Sequence, residues 1–164
     1  MTDRRTEIID QLENNLKNTL SFFSSLSDDQ LRTKVYADGA KWTVKQILAH
    51  FITIERSMQK LFKNILSGGP GSPEDFDVDR FNLTQPKKLY GLTLKELLEQ
   101  FKSVRGDTID IVKGMTKQDL IREGRHPFHG HGQLERFITW AYEHVNIHED
   151  DIRKVLQIKQ VRKG

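Results

Sequence analysis

The sequence predicts an all-α protein, a four-helix bundle. Four long segments repeat apolar residues at three- and four-residue steps, the period of one buried helix face. No segment alternates apolar and polar residues as a half-buried strand would. The composition, 36% hydrophobic and 30% charged, is that of a helix-rich globular chain, and one domain spanning 1–164 is long enough to bury a core.

The first helix is expected from about Thr2 to Leu26, with Ile8, Leu12, Leu16, Thr19, Phe23 and Leu26 on its buried stripe. Ser27-Asp28-Asp29-Gln30 caps a short turn, and Tyr36 to Lys41 reads as loop. The second helix starts near Thr43 and runs to about Ser67. Its apolar face holds Val44, Ile47, Leu48, Phe51, Ile54, Met58, Leu61, Phe62 and Ile65. Gly68-Gly69-Pro70-Gly71-Ser72-Pro73 ends it, because proline cannot continue a helix and glycine disfavours one. A long connection, Gly68 to Gly91, follows; loops of that length in small domains usually serve function. Thr93 with Glu96 is a capping box for the third helix, whose apolar side runs from Leu94 to Val112. Thr116 to Leu120 suggests a further turn, and Arg125 to Gly132 reads as loop. The fourth helix is expected from about Gln133 to Ile158, with Leu134, Phe137, Ile138, Ala141, Val145, Ile152, Val155 and Leu156 in its core stripe.

Several function classes are excluded. The chain has no cysteine, so disulfides, thiolate catalysis and Cys-ligated clusters are absent. No apolar run approaches the roughly 18 residues of a membrane span, and no apolar stretch follows the charged N-terminus, so a cytoplasmic protein without a membrane partner is expected. The net charge of +3 gathers in a basic tail, Arg153-Lys154, Lys159 and Arg162-Lys163, while bases elsewhere alternate with acids. That pattern fits a solvated tail, and no nucleic-acid partner is expected. Neither G-x-S-x-G, a Walker loop, G-x-G-x-x-G nor H-E-x-x-H is present.

The functional signal lies in histidines. His144 and His148 are four residues apart, hence on one face of the fourth helix. His148 falls inside the core stripe and His144 at its edge. A bare i,i+4 pair also fits two partly buried histidines, each satisfied by a carboxylate or carbonyl. Burying two imidazoles side by side is costly unless both are bonded, and a metal satisfies both at once. His50, at the margin of the second helix's apolar face, is the candidate third ligand. Three ligands and an open position describe a catalytic-type metal site. Glu55 shares that apolar face, either as acceptor for a ligand histidine's free N–H or in a salt bridge to an arginine. Glu143, Glu149, Asp150 and Asp151 are expected in solvent. His126, His129 and His131 are expected at the mouth of the site.

These residues together resemble the DinB/YfiT-like superfamily of metal-dependent bacterial proteins. The resemblance covers nearly the whole chain. It rests on Leu26-Ser27-Asp28-Asp29-Gln30-Leu31, on Trp42 to His50 running on to Glu55-Arg56, on His126-Pro127 and Gly130, and on His144-x-x-x-His148. It implies a bundle of unusual connection order, with a long crossover loop between the second and third helices. It also implies a divalent transition metal held by His50, His144 and His148: zinc or nickel first, iron also compatible. Some relatives resemble thiol-dependent transferases that add a low-molecular-weight thiol such as bacillithiol or mycothiol to an electrophile; there the metal would lower the thiol's pKa and present a thiolate. Others resemble hydrolases, in which the open position would generate hydroxide. A non-catalytic, metal-stabilised binding protein is the third class. A small-molecule substrate is thus the expected partner. A homodimer is also implied, with Trp140 and Ile147, which lie off the core stripe, as candidate contacts.

Overall fold

Side chains mark where the helices begin. In the computed structural model, which describes residues 3–158, Asp3, Ser27, Thr43, Asp77, Thr93 and Thr116 each accept a backbone N–H two or three residues into the following helix. Such caps satisfy donors that a helix leaves open at its start. They set the beginnings of α1 (Arg4–Ser24), α2 (Asp28–Leu31), α3 (Val44–Leu66), α4 (Val78–Thr84), α5 (Leu94–Lys113) and α6 (Lys117–Leu120). The last helix, α7 (Leu134–Leu156), begins without a side-chain cap. The four long helices α1, α3, α5 and α7 fall where periodicity places them. The expected start at Thr2 and the basic tail from Lys159 onward lie outside the described residues.

Each long helix packs chiefly on two others. α1 contacts α5 and α7, and α3 contacts the same two. The sequence neighbours α1 and α3 are therefore diagonal, as are α5 and α7. Two of the three connections cross the bundle, whereas in a simple up-and-down bundle each helix packs beside the next.

The buried side chains form two apolar clusters along the axis. One gathers Phe23, Leu48, Phe51, Phe101 and Ile152; the other gathers Leu12, Phe62, Val112, Phe137 and Ile138. Val155, expected in the core stripe, is 40% exposed, and Leu156, four residues beyond Ile152, packs on the first cluster instead. Between the clusters lies a polar layer. The Arg105 guanidinium on α5, fully buried, donates to both oxygens of Glu55 on α3. It also donates to Leu12 O and Asn15 Oδ1 on α1, at 3.1 and 2.9 Å. Thr108 donates to Glu55 Oε2 at 2.8 Å, so each charge is hydrogen-bonded as burial requires. Of the two roles open to Glu55, the structure has the salt bridge to an arginine.

Residues 125–132 are not a loop. β1 (Glu123–His126) and β2 (Gly130–Gln133) form an antiparallel hairpin, registered Glu123 to Gln133 and His126 to Gly130. The strands are four residues each and rich in glycine and charge, so neither strand propensity nor alternation betrays them. Outside contacts hold them: Arg125 N donates to Pro70 O and Ser72 N donates to Arg125 O, both at 2.8 Å. The backbone of Gly71 thereby lies against that of Arg125. With φ at +93° and Arg125 backbone atoms 2.5 Å from where a Cβ would stand, no other residue fits there. The connection after α3 is thus stitched to the hairpin. It also carries α4 and a 3₁₀ turn, Pro86–Leu89, so much of the expected loop is structured.

Candidate metal centre

α3 and α7 pack directly, and their facing surfaces bring the three histidines together. His50 is buried on α3, and His144 and His148 are half-buried on successive turns of α7. Their candidate ligand atoms all lie within 4.8 Å of one another. His144 Nε2 stands 3.2 Å from His50 Nε2 and 3.0 Å from His148 Nε2. Two nitrogens at about 2.0–2.1 Å from one zinc ion would stand a little over 3 Å apart.

The protonation states suit the same purpose. Burial first, then the neighbouring His144 and His148, holds His50 well below the usual histidine range. Burial and then His148 and His126 push His144 down to about 3. Burial pushes His148 down to about 4, against a smaller opposing pull from Asp151. All three rings are neutral at neutral pH, as ligation requires. Hydrogen bonds among themselves cannot satisfy them. His144 Nε2 has one in-plane site, a proton or a lone pair, yet touches two other ring nitrogens. A cation accepting three lone pairs resolves this, so the donor set fits a divalent transition metal of the zinc, nickel or iron type.

Tyr36 fixes one of the rings. Its hydroxyl lies 2.6 Å from Asp151 Oδ2 and 2.6 Å from His148 Nδ1. Burial and the Asp151 carboxylate raise the phenol's pKa far above its ordinary value, so it keeps its proton. The phenol O–H donates to Asp151, and His148 Nδ1–H donates to the phenol oxygen. The lone pair of His148 is thereby left on Nε2, facing the cluster. Trp42 stacks on His50, with centroids 4.2 Å apart. The Nδ1 atoms of His50 and His144 are buried without a partner among the described residues.

A cavity of about 990 Å³ opens beside the cluster, with His50 and His144 in its wall. Ile54, Met58 and Leu61 of α3, Trp140 and Ile147 of α7, and Phe76 of the long connection make the wall largely apolar. The hairpin contributes His126, Pro127 and Phe128; Phe128 stacks on Trp140 at 5.5 Å and 9°. The long connection and the hairpin both line it, and of the three histidines expected at the mouth of the site His126 is in the wall. His129 packs edge-on to Trp140, whereas His131 is exposed and pairs with Glu123 at 3.6 Å. Trp140 and Ile147, read from the sequence as dimer contacts, border this cavity.

Sequence reasoning missed Tyr36 and Asp151. The sequence reads the first as part of a loop and the second as solvent-facing; only the tertiary fold brings residue 36 to α7. Glu149, also expected in solvent, is buried and accepts from Thr19 at 2.7 Å. It turns toward α1, away from the histidines.

The chain matches the DinB superfamily over residues 11–151 and belongs to that family. Among solved structures it is similar to YfiT from Bacillus subtilis, described as a probable metal-dependent hydrolase with an unusual four-helix bundle topology. The two are 20% identical, superpose with a TM-score of 0.71, and the match covers 96% of this chain and 89% of that one. At that identity the likeness establishes the fold. No curated protein matches the sequence. No described helix is long and apolar enough to cross a membrane.

Proposed function

We propose that His50, His144 and His148 hold a divalent transition metal and that the protein is a metal-dependent enzyme acting on a small molecule in the adjoining cavity, with transfer of a low-molecular-weight thiol as its reaction. The observation that carries this reading is the convergence of three neutral Nε2 atoms beside a largely apolar cavity, with His50 and His144 in its wall. A metal bound there supplies Lewis acidity, which lowers the pKa of a thiol or water brought to it.

The chain's own residues supply the rest. Tyr36 and Trp42 hold His148 and His50 in orientation. The α3, α7 and hairpin walls exclude water and receive the apolar body of an electrophile. Hydrolysis would also need a base near the cluster to take a proton from water. Nearby carboxylates are committed: Asp151 to Tyr36, Glu55 to Arg105 and Thr108, and Glu149 to Thr19. Asp79 lines the cavity from α4 but is exposed. A thiol, more acidic than water by many orders of magnitude, needs less help, and this favours transfer. The resemblance to YfiT supports hydrolysis as the second reading.

Elemental analysis of untagged protein, then thiol-consumption assays with a panel of small thiols and an aromatic electrophile, tests the proposal. His148→Ala is expected to lose the metal and the turnover together while keeping the helical circular dichroism. A metal-free wild type, or a loaded enzyme active on esters and inert to every thiol, would overturn the transferase reading. A metal that serves only structure would instead appear as a loss of several kcal/mol of stability on chelation, with no turnover in any screen.

A further inference from the structure

The cavity beside the histidines is long in one direction. His50, Ile54, Ser57, Leu61 and Asn64 of α3 all line it. Their three- and four-residue steps keep them on one side of the helix, and at about 1.5 Å of rise per residue Asn64 stands about 21 Å beyond His50. A second wall follows the first. The connection after α3 is tied to Asn64, where Gly69 N donates to Asn64 O and Gly71 N to Asn64 Oδ1, both at 2.8 Å. It then runs back beside α3, since Leu89 and Tyr90 near its other end share a recess with Gln46 and Ala49 of the first turns of α3. Between these points Ser72, Phe76 and Val78 of the connection line the cavity. Apolar surface runs along it from Ile54 through Met58 to Leu61, with the stacked Phe128 and Trp140 in the wall as well. Two lining residues, Phe128 and Ile147, are 68% and 49% exposed, large apolar groups left uncovered in the empty groove. The charged lining residues, Lys60 and Asp79, are both exposed.

We propose that the substrate is an elongated molecule with an uncharged, linear hydrocarbon body, which lies along α3 with its reacting end at His50 and its far end toward Asn64 and Ser72. This deepens the function proposed above and rests on it for the position of the reacting end. A compact substrate would need only the wall near His50, Ile54 and Ile147, whereas Met58 and Leu61 carry the apolar surface about two turns further. Each further methylene laid against that surface leaves water and adds to affinity. The groove ends on the three-histidine cluster, which a reacting molecule needs and a docked helix of a second copy does not.

Chain length is the probe. Straight-chain primary alcohols from hexanol to dodecanol are titrated into chelator-treated protein by displacement of a fluorescent naphthylamine. Straight-chain hydroxamic acids of the same lengths are titrated into zinc-loaded protein, with zinc content measured separately. The alcohols read the groove without a metal, and the hydroxamates are tethered at the histidines by their head group. Affinity is expected to rise about three- to fourfold per methylene in both series. Ser57→Trp places a large ring on the α3 side of the groove about 10 Å from His50. It is expected to confine the hydroxamate gain to the shorter chains, while Ser57→Ala keeps the full rise; circular dichroism and melting curves check that both fold. The wild-type series needs neither variant. Affinity flat with length in the alcohol series, or in the hydroxamate series of a zinc-loaded protein, would overturn the proposal, as would a folded Ser57→Trp that still gains with every methylene. Flat series from a protein that light scattering shows to be a dimer would give the groove to a second copy instead. If alcohols gain with length in a protein that takes up no zinc, the metal reading falls and this one stands; zinc uptake with flat series gives the reverse.

Discussion

Tyr36 links a loop far from α7 in sequence to the ring of His148, and its hydroxyl is committed at both ends. The Asp151–Tyr36–His148 chain selects the tautomer that leaves Nε2 free, and hydrogen bonds behind a ligand histidine typically contribute 10- to 100-fold in metal affinity. Tyr36→Phe is therefore expected to weaken zinc or nickel about 10- to 100-fold in chelator competition. The melting temperature of the metal-free protein should also fall by a few degrees, because the hydroxyl's two hydrogen bonds, to Asp151 and to His148, are lost. Unchanged metal affinity with lowered stability would show that the tyrosine merely packs. His50 and His144 have no such partner among the described residues, so His148 is the ligand whose orientation is most tightly set.

The polar layer, by contrast, acts on how helices choose partners. Arg105 reaches three other helices: Glu55 of α3, Leu12 O and Asn15 of α1, and Ala141 O of α7 at 3.4 Å. Removing one member leaves a buried charge unpaired, which typically costs about 3–5 kcal/mol, whereas replacing both ends by apolar residues can be nearly neutral. Arg105→Met is expected to lower stability by about that amount in urea unfolding, and Glu55→Leu with Arg105→Met to recover much of it. No recovery in the double variant would mean that packing volume, not charge, governs the layer. The four long helices were legible because each writes its apolar face at helical period and most announce their starts with a capping side chain, as Thr43 and Thr93 do. The three histidines were legible for the same reason, since His148 sits where an apolar residue is due. The hairpin was not, because Pro70 and Ser72 hold it from outside its own sequence. Tyr36 and Asp151 were not, because neither periodicity nor a motif links a loop tyrosine to a carboxylate that reads as solvent-facing.

At the scale of the whole molecule, the buried histidines make stability depend on pH, and the sign follows from the direction of their shifts. His144 and His126 fold with pKa values near 3 and 4, His148 near 4, and His50 well below its ordinary value, against about 6.5 for an unfolded histidine. Below about pH 6.5 the unfolded chain binds protons that the folded one refuses, so stability is full above that pH and drains as pH falls toward 4. Each such group contributes a slope of up to about 1.4 kcal/mol per pH unit inside that window. A bound metal would add to this, because protons compete for the same nitrogens and ligand binding stabilises only the folded state. Two experiments separate the contributions. Metal-free wild type is expected to lose urea stability steadily between pH 6.5 and 4.5, and metal-free His144→Leu to lose it with a shallower slope, since one refused proton is gone. The metal-loaded protein should hold a higher plateau at pH 7.5 and lose that advantage in the same acid window. If the metal-free wild type and His144→Leu fall with the same slope, the buried cluster does not drive the acid transition, and the carboxylates must.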